Sequence, residues 1–235
     1  MSRPLSRVEC RKIAALCEQR WEYFYSRAKL RSDPVYAAVA HELADCALPV
    51  LDIGCGIGLL GQYLRQGGHA APIMGFDYDA RKIDSAQRVA AKSGHAGLDF
   101  ASGDARDGLP AFTGNVVILD ILQFFTRAEQ ESLLRAAADR VAPAGRLIIR
   151  STLRDDSWRF RVTFLGDVFA KVTRWMKELP TLYPDAEQFR AVLAGAGLAV
   201  EFTPLWGKMP FNNYLIIGRR SPPAKPEVSS ADPAQ

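Results

Sequence analysis

Five short apolar runs, at residues 49–53, 72–77, 98–101, 115–120 and 146–150, recur along the first two thirds of the chain, with helical patterns between most of them. A strand that returns to its sheet through a helix pairs parallel with its predecessor, and the helices cover the sheet faces. The pattern therefore predicts an α/β protein with a mostly parallel sheet. Gly67-Gly68 and Gly94 end the first two helices, and Asp79 caps the second. Thr126-Arg127-Ala128-Glu129 is a capping box that opens the third, which runs to about residue 141. Beyond residue 150 the alternation stops. Residues 158–176 read as an amphipathic helix with apolar positions at 158, 162, 165, 169, 172 and 176, and residues 184–196 as another. The closing runs, 198–202 and 213–218, are separated by about ten residues without a helical pattern. They are predicted to pair antiparallel, giving seven strands and a terminal hairpin.

Two helices precede the first strand. Residues 6–30 form one helical pattern and residues 35–46 another, with Asp33 as its cap and Pro34 at its first position. Residues 1–47 thus form an N-terminal helical extension to a domain over 48–220, with a helical lid around 154–180. Residues 221–235 lack core-forming side chains and read as a disordered tail. A length of 235 residues with 48% apolar content suits one α/β domain. A net charge of +4 lacks the basic face of a dedicated nucleic-acid binder. Cys10, Cys17, Cys46 and Cys55 show no metal-ligand spacing and read as reduced thiols. No secretory h-region or membrane-length apolar run is visible, so a cytoplasmic protein without a membrane span is expected.

The chemistry centres on Asp52-Ile53-Gly54-Cys55-Gly56-Ile57-Gly58, where the first strand enters a glycine turn. Glycines there let the backbone turn sharply and a ligand approach closely. Gly56, Gly58 and Gly61 also spell the G-x-G-x-x-G of dinucleotide sites. Asp52 points elsewhere: a carboxylate beside the turn repels a pyrophosphate and suits an ammonium. A nicotinamide-dependent reductase stays as one reading, although no Tyr-x-x-x-Lys pair follows the fourth strand.

The sequence strand-Asp-x-Gly-x-Gly-x-Gly resembles motif I of class I S-adenosylmethionine-dependent methyltransferases, and the likeness is strongest over residues 48–150. It implies a Rossmann-like seven-stranded methyltransferase fold with S-adenosylmethionine as cofactor and no metal. By the same resemblance, Asp52, Gly54, Cys55, Gly56 and Gly58 face the methionine end. Asp77 accepts from both ribose hydroxyls, Tyr78 lies against the adenine, and Asp104 with Ala105 meets the adenine edge. Asp120, Ile121 and Leu122 stand beside the methionine and the substrate entrance. Asp120 and Tyr25 are the candidate catalytic residues; His41, Asp155 and Tyr183 are further candidate bases. His41 reads as a structural residue in a core-like helix, and His69 and His95 as surface residues.

The histidine common after the fourth strand in small-molecule members is replaced by Gln123-Phe124-Phe125, and the motifs of DNA-methylating enzymes are absent. Aromatic residues at 21, 23, 24 and 25 and at 158, 160, 164, 169 and 175 suit an aromatic or lipophilic acceptor, free or acyl-linked. Tyr25–Pro34 and Pro210–Tyr214 also resemble segments of methyltransferases from bacterial aryl-polyene and fatty-acid-synthase-like pathways. The function expected is methyl transfer to a small molecule or carrier-linked substrate, with no nucleic acid as partner. A cofactor-binding interaction protein without turnover and an RNA methyltransferase are the alternatives.

Overall fold

The computed structural model describes residues 3–163, 182–207 and 210–220. Its centre is a seven-stranded sheet in the order β3-β2-β1-β4-β5-β7-β6. The strands are β1 (Val50–Ile53), β2 (Ile73–Asp77), β3 (Leu98–Ser102), β4 (Asn115–Leu119), β5 (Arg146–Thr152), β6 (Leu198–Pro204) and β7 (Asn213–Arg220). The first five pair parallel, whereas β7 runs antiparallel to both β5 and β6. The helices are α1 (Arg7–Ala14), α2 (Arg20–Ser32), α3 (Val35–Glu42), α4 (Leu59–Gln66), α5 (Ala80–Ser93), α6 (Arg127–Asp139) and α7 (Ala186–Gly195). The predicted mostly parallel sheet and closing hairpin are therefore present.

Side chains alternate across a strand, so each central strand feeds two cores. Leu51, Ile53, Val116, Ile118, Leu147 and Ile149 turn to one face, where Leu134 of α6 and Phe189 and Leu193 of α7 cover them. Val50, Val117, Ile148, Leu215 and Ile217 turn to the other, under Ile13 of α1, Val39 of α3 and Leu60 of α4. Burial on both faces explains why these strands read as unbroken apolar runs. The three N-terminal helices share their core with α4 and the sheet.

Helix ends follow their chemistry. Asp79 accepts from Arg81 N–H, and Thr126 and Glu129 close the predicted capping box of α6. Asp33 accepts from Val35 N–H at 3.1 Å and so caps α3. Three expectations need correction. The pattern over 6–30 is two helices, because a single helix that long would run about 37 Å and overshoot the sheet. The break lets α2 fold back on α1, burying Cys10, Ile13 and Leu30 together, and Glu18 in the break pairs with Arg88 and Lys92 of α5. His41 is not a core residue; it lies at the outer edge of α3 with its side chain 74% exposed. His69 is half-buried with Nε2 lacking a partner, and burial, then the Arg65 cation, lowers its pKa.

A helical segment opens at Trp158 and is described through Thr163; Trp158 and Val162, two of its predicted stripe residues, are exposed. The remainder of that stripe, most of the predicted lid and the C-terminal tail lie outside the described residues. Phe189 is fully buried between α7 and the sheet, edge-on to Phe202. Phe189→Ala is expected to cost about 3–5 kcal/mol, measured by urea denaturation.

Candidate active site

In an open parallel sheet the strand carboxyl ends are where charged groups reach a cleft. Asp52 closes onto that edge, only 3% exposed. Burial, and then the neighbouring Asp77 carboxylate, pushes its pKa up to about 7, and no hydrogen bond opposes them. An acid left this way is poised for a cation. The turn that follows explains the glycines. Gly54 has φ +77°, and a Cβ there would lie 2.6 Å from Ile121 Cγ2, so a side chain is excluded twice over. Gly56 has φ +57° but faces open space, with nothing within 4 Å of where its Cβ would be. Cys55 between them is inert: burial and the Asp52 and Asp77 carboxylates push its thiol pKa well up.

Asp77, at the end of β2, takes Gly56 N–H on one oxygen and Asp79 N–H on the other, both at 2.9 Å. One donor per oxygen fixes the carboxylate and leaves a further lone pair on each. Tyr78 beside it is 53% exposed, with Lys82 Nζ 5.9 Å from its ring centroid. Asp104, in the loop after β3, accepts from Arg106 N–H at 2.9 Å and from Arg106 Nη1 at 3.0 Å. Ala105 is half-buried against the core on the α6–α7 side. The same arginine lies 4.6 Å over the Phe125 ring and donates to Phe124 O, tying the loops after β3 and β4 together.

Asp120 follows β4 with φ +58°, the one positive φ outside glycine among the described residues. Its N–H donates to Arg150 O at 3.1 Å, its carbonyl accepts from Gln123 Nε2 at 3.0 Å, and its carboxylate accepts from Arg150 Nε at 2.6 Å and from Arg150 Nη2. Ile121, next in the chain, is the residue pressed onto Gly54, and Leu122 is fully buried. Arg150 is itself 5% exposed and donates through Nη1 to both oxygens of Asp33, at 2.7 and 2.8 Å. Lys29 adds a second cation, 3.0 Å from Asp33 and 3.8 Å from Asp120. Burial would raise the Asp33 carboxyl, but Arg150 and Lys29 outweigh it and hold its pKa below the usual range.

Tyr25 is 39% exposed on α2, its ring centroid 6.4 Å from that of Trp21. Tyr36 is buried, and burial, then the Tyr25, Asp33 and Asp52 groups, pushes its hydroxyl well above the usual tyrosine value. It therefore stays protonated near neutral pH, and its hydroxyl can donate one hydrogen bond and accept through its lone pairs. Asp155 accepts from Ser157 N–H at 2.9 Å and Asn212 Nδ2 at 2.8 Å, bracing β5 against β7. Tyr183 is buried edge-on to Phe160. The structure thus brings Asp52, the glycine turn and Asp77 together, and sets Asp120 with Ile121 beside them. Asp104 sits one loop away and Tyr25 on the covering helix. Sequence reasoning missed Arg150, Lys29 and Tyr36, and read Asp33 only as a cap. One signal was present: an arginine closing an otherwise apolar strand has to find carboxylates. No group of three or more potential metal ligands occurs among the described residues.

Residues 50–145 match the methyltransferase domain family. Over 120 residues it is 28% identical to trans-aconitate 2-methyltransferase of Mycobacterium tuberculosis, covering 51% of this chain. The chain spans 43% of the length of that relative. Over 184 residues it is 29% identical to the ubiquinone biosynthesis O-methyltransferase of Azorhizobium caulinodans, covering 73% of this chain and 71% of that protein. The fold resembles magnesium protoporphyrin IX methyltransferase of Synechocystis PCC 6803, solved with bound S-adenosylhomocysteine. The TM-score is 0.64 at 20% identity, over 91% of this chain and 94% of that one.

The fold keeps Asp52 at an energetic cost, and the sign of that cost is testable. With its pKa raised to about 7, Asp52 holds a proton in the folded state that the unfolded chain gives up near pH 4. Its contribution to stability therefore falls as pH rises from about 4 to 7 and is at its worst above 7. Asp52→Asn is expected to raise the ligand-free melting temperature at pH 8 by about 5 °C, and by less at pH 5, in thermal unfolding scans.

Proposed function

We propose that this chain is an S-adenosylmethionine-dependent methyltransferase acting on a small aromatic or lipophilic acceptor. The observation that carries the reading is the buried Asp52 carboxylate, without a donor among the described residues, next to a glycine turn open to the cleft at Gly56. That combination fits an amino-acid ammonium and disfavours a pyrophosphate. Asp77, preset by two backbone donors with a lone pair spare on each oxygen, fits a ribose cis-diol. Tyr78 offers an exposed ring to a base, and Asp104 with Ala105 borders the same end.

The bound cofactor supplies a methyl group activated on a sulfonium. What the chain contributes is alignment and exclusion of water. Asp52 holds the ammonium, Asp77 the ribose, and the Asp120–Leu122 turn walls the methionine end through Ile121. Asp120 has both carboxylate oxygens on Arg150, so withdrawing a proton from the acceptor would mean breaking a paired, largely buried contact. Tyr25 is the more accessible candidate for contact with an acceptor. Support for an apolar acceptor comes from Trp21, Phe24, Tyr25 and Trp158, all exposed; an acyl-linked acceptor meets the same surface.

Calorimetry with S-adenosylhomocysteine against NADH tests the cofactor: tight binding of the first and none of the second is expected, and the reverse would sink the reading. Asp77→Ala should weaken S-adenosylhomocysteine at least about tenfold. With radiolabelled cofactor in a lysate of the source organism, label is expected in the small-molecule organic extract. Label in RNA would replace that acceptor class, and binding without any transfer would favour a cofactor-binding protein lacking turnover.

A further inference from the structure

Arg150 occupies an unusual position. It is 5% exposed, and its guanidinium is shared between two carboxylates from distant parts of the chain. Asp33 belongs to the junction of α2 and α3; Asp120 belongs to the turn after β4. A buried guanidinium is costly unless its donors are met, and here Nε, Nη1 and Nη2 all find carboxylate oxygens. Lys29 from α2 reaches both acids, making the cluster two cations and two anions. The far end of the same strand repeats the arrangement. Arg146, four residues earlier on the same face of β5, binds Asp45 and Glu42 O at the end of α3. The segment from α3 to Asp45 is thus fastened to both ends of β5, but only the Arg150 end touches the site.

The consequence runs through Asp120. Its left-handed backbone is held from three sides: N–H on Arg150 O, carbonyl under Gln123, carboxylate on Arg150. A non-glycine residue keeps such a conformation only where its surroundings impose it. That backbone directs Ile121 against Gly54, where no Cβ could fit. We infer that Arg150 and Asp33 are positioning residues of the methyl-transfer site, forming a buried clasp that couples docking of the N-terminal helices to the shape of the methionine pocket. The inference rests on the proposed methyltransferase reading. Asp120 is the near jaw of this clasp, Asp33 the far one, and neither serves as proton acceptor.

Asp33 touches neither the glycine turn nor Asp77, so Asp33→Asn isolates the clasp. The unaltered protein is compared with Asp33→Asn, Arg150→Lys and Arg150→Met by hydrogen exchange and by calorimetry with S-adenosylhomocysteine. In Asp33→Asn, exchange is expected to quicken in residues 20–36 and also in residues 119–125, with S-adenosylhomocysteine affinity reduced about tenfold. Arg150→Lys, which keeps the charge but loses the fork that spans two carboxylates, should recover only part of the affinity relative to Arg150→Met. Faster exchange confined to residues 20–36 with unchanged affinity would overturn the clasp and leave a purely structural ion cluster. Absence of S-adenosylhomocysteine binding to the unaltered protein would overturn the methyltransferase reading itself, and the inference with it. If Arg150→Met fails to fold, the Asp33→Asn comparison alone decides.

Discussion

A parallel sheet covered on both faces leaves almost nowhere to put a charge. Along β1, β4 and β5 the side chains of Val50, Leu51, Val116, Val117, Ile118, Leu147, Ile148 and Ile149 go into one of two apolar cores, and an unpaired charge there would be prohibitive. Charged groups are therefore driven to the strand ends, where backbone donors, counter-ions and a ligand can reach them. Asp52, Asp77, Asp120 and Arg150 all sit at that edge. The site is the place where the sheet can tolerate polarity.

The edge handles its charges in two different ways. Asp120 and Asp33 are satisfied internally by Arg150 and Lys29, and this cluster neutralises itself under the N-terminal helices. Asp52 is left without a partner among the described residues, with Asp77 making its situation worse. One acid is left unsatisfied beside three that are satisfied, and the proposed preference of the cleft for a cation rests on that arrangement. It also separates roles that look alike in the chain: four acids end four strands or lie just beyond them, and Asp52 is the one that burial pushes up to about 7.

Much of this was legible from residues. Gly54 and Gly56 mark the turn because glycine takes a left-handed backbone without strain, and Asp52 marks it because the proposed ammonium calls for an acid. Asp79 and Thr126 with Glu129 cap their helices through contacts a few residues long. The errors have a common cause. The stretch 6–30 carries helical periodicity throughout, and nothing local says it must break to stay over the sheet. His41 lies in an apolar-looking helix, but α3 buries the face of Val35, Tyr36 and Val39 against residues as far along the chain as Ile148. Arg150 itself was visible as a strand-ending arginine, while its partners at positions 33 and 120 are brought to it only by folding.

The sequence by itself determined the fold class, the glycine turn and the acids at the strand ends, since each depends on periodicity, on φ > 0 or on charge at a fixed spacing. Tertiary structure decided what each acid does. Asp33, Asp52 and Asp120 are chemically identical side chains. Asp33 is held ionised by Arg150 and Lys29, Asp120 is paired with the same guanidinium, and Asp52 is held near neutrality by burial, and that difference arises only when β1, β4, β5 and the N-terminal helices meet at one edge.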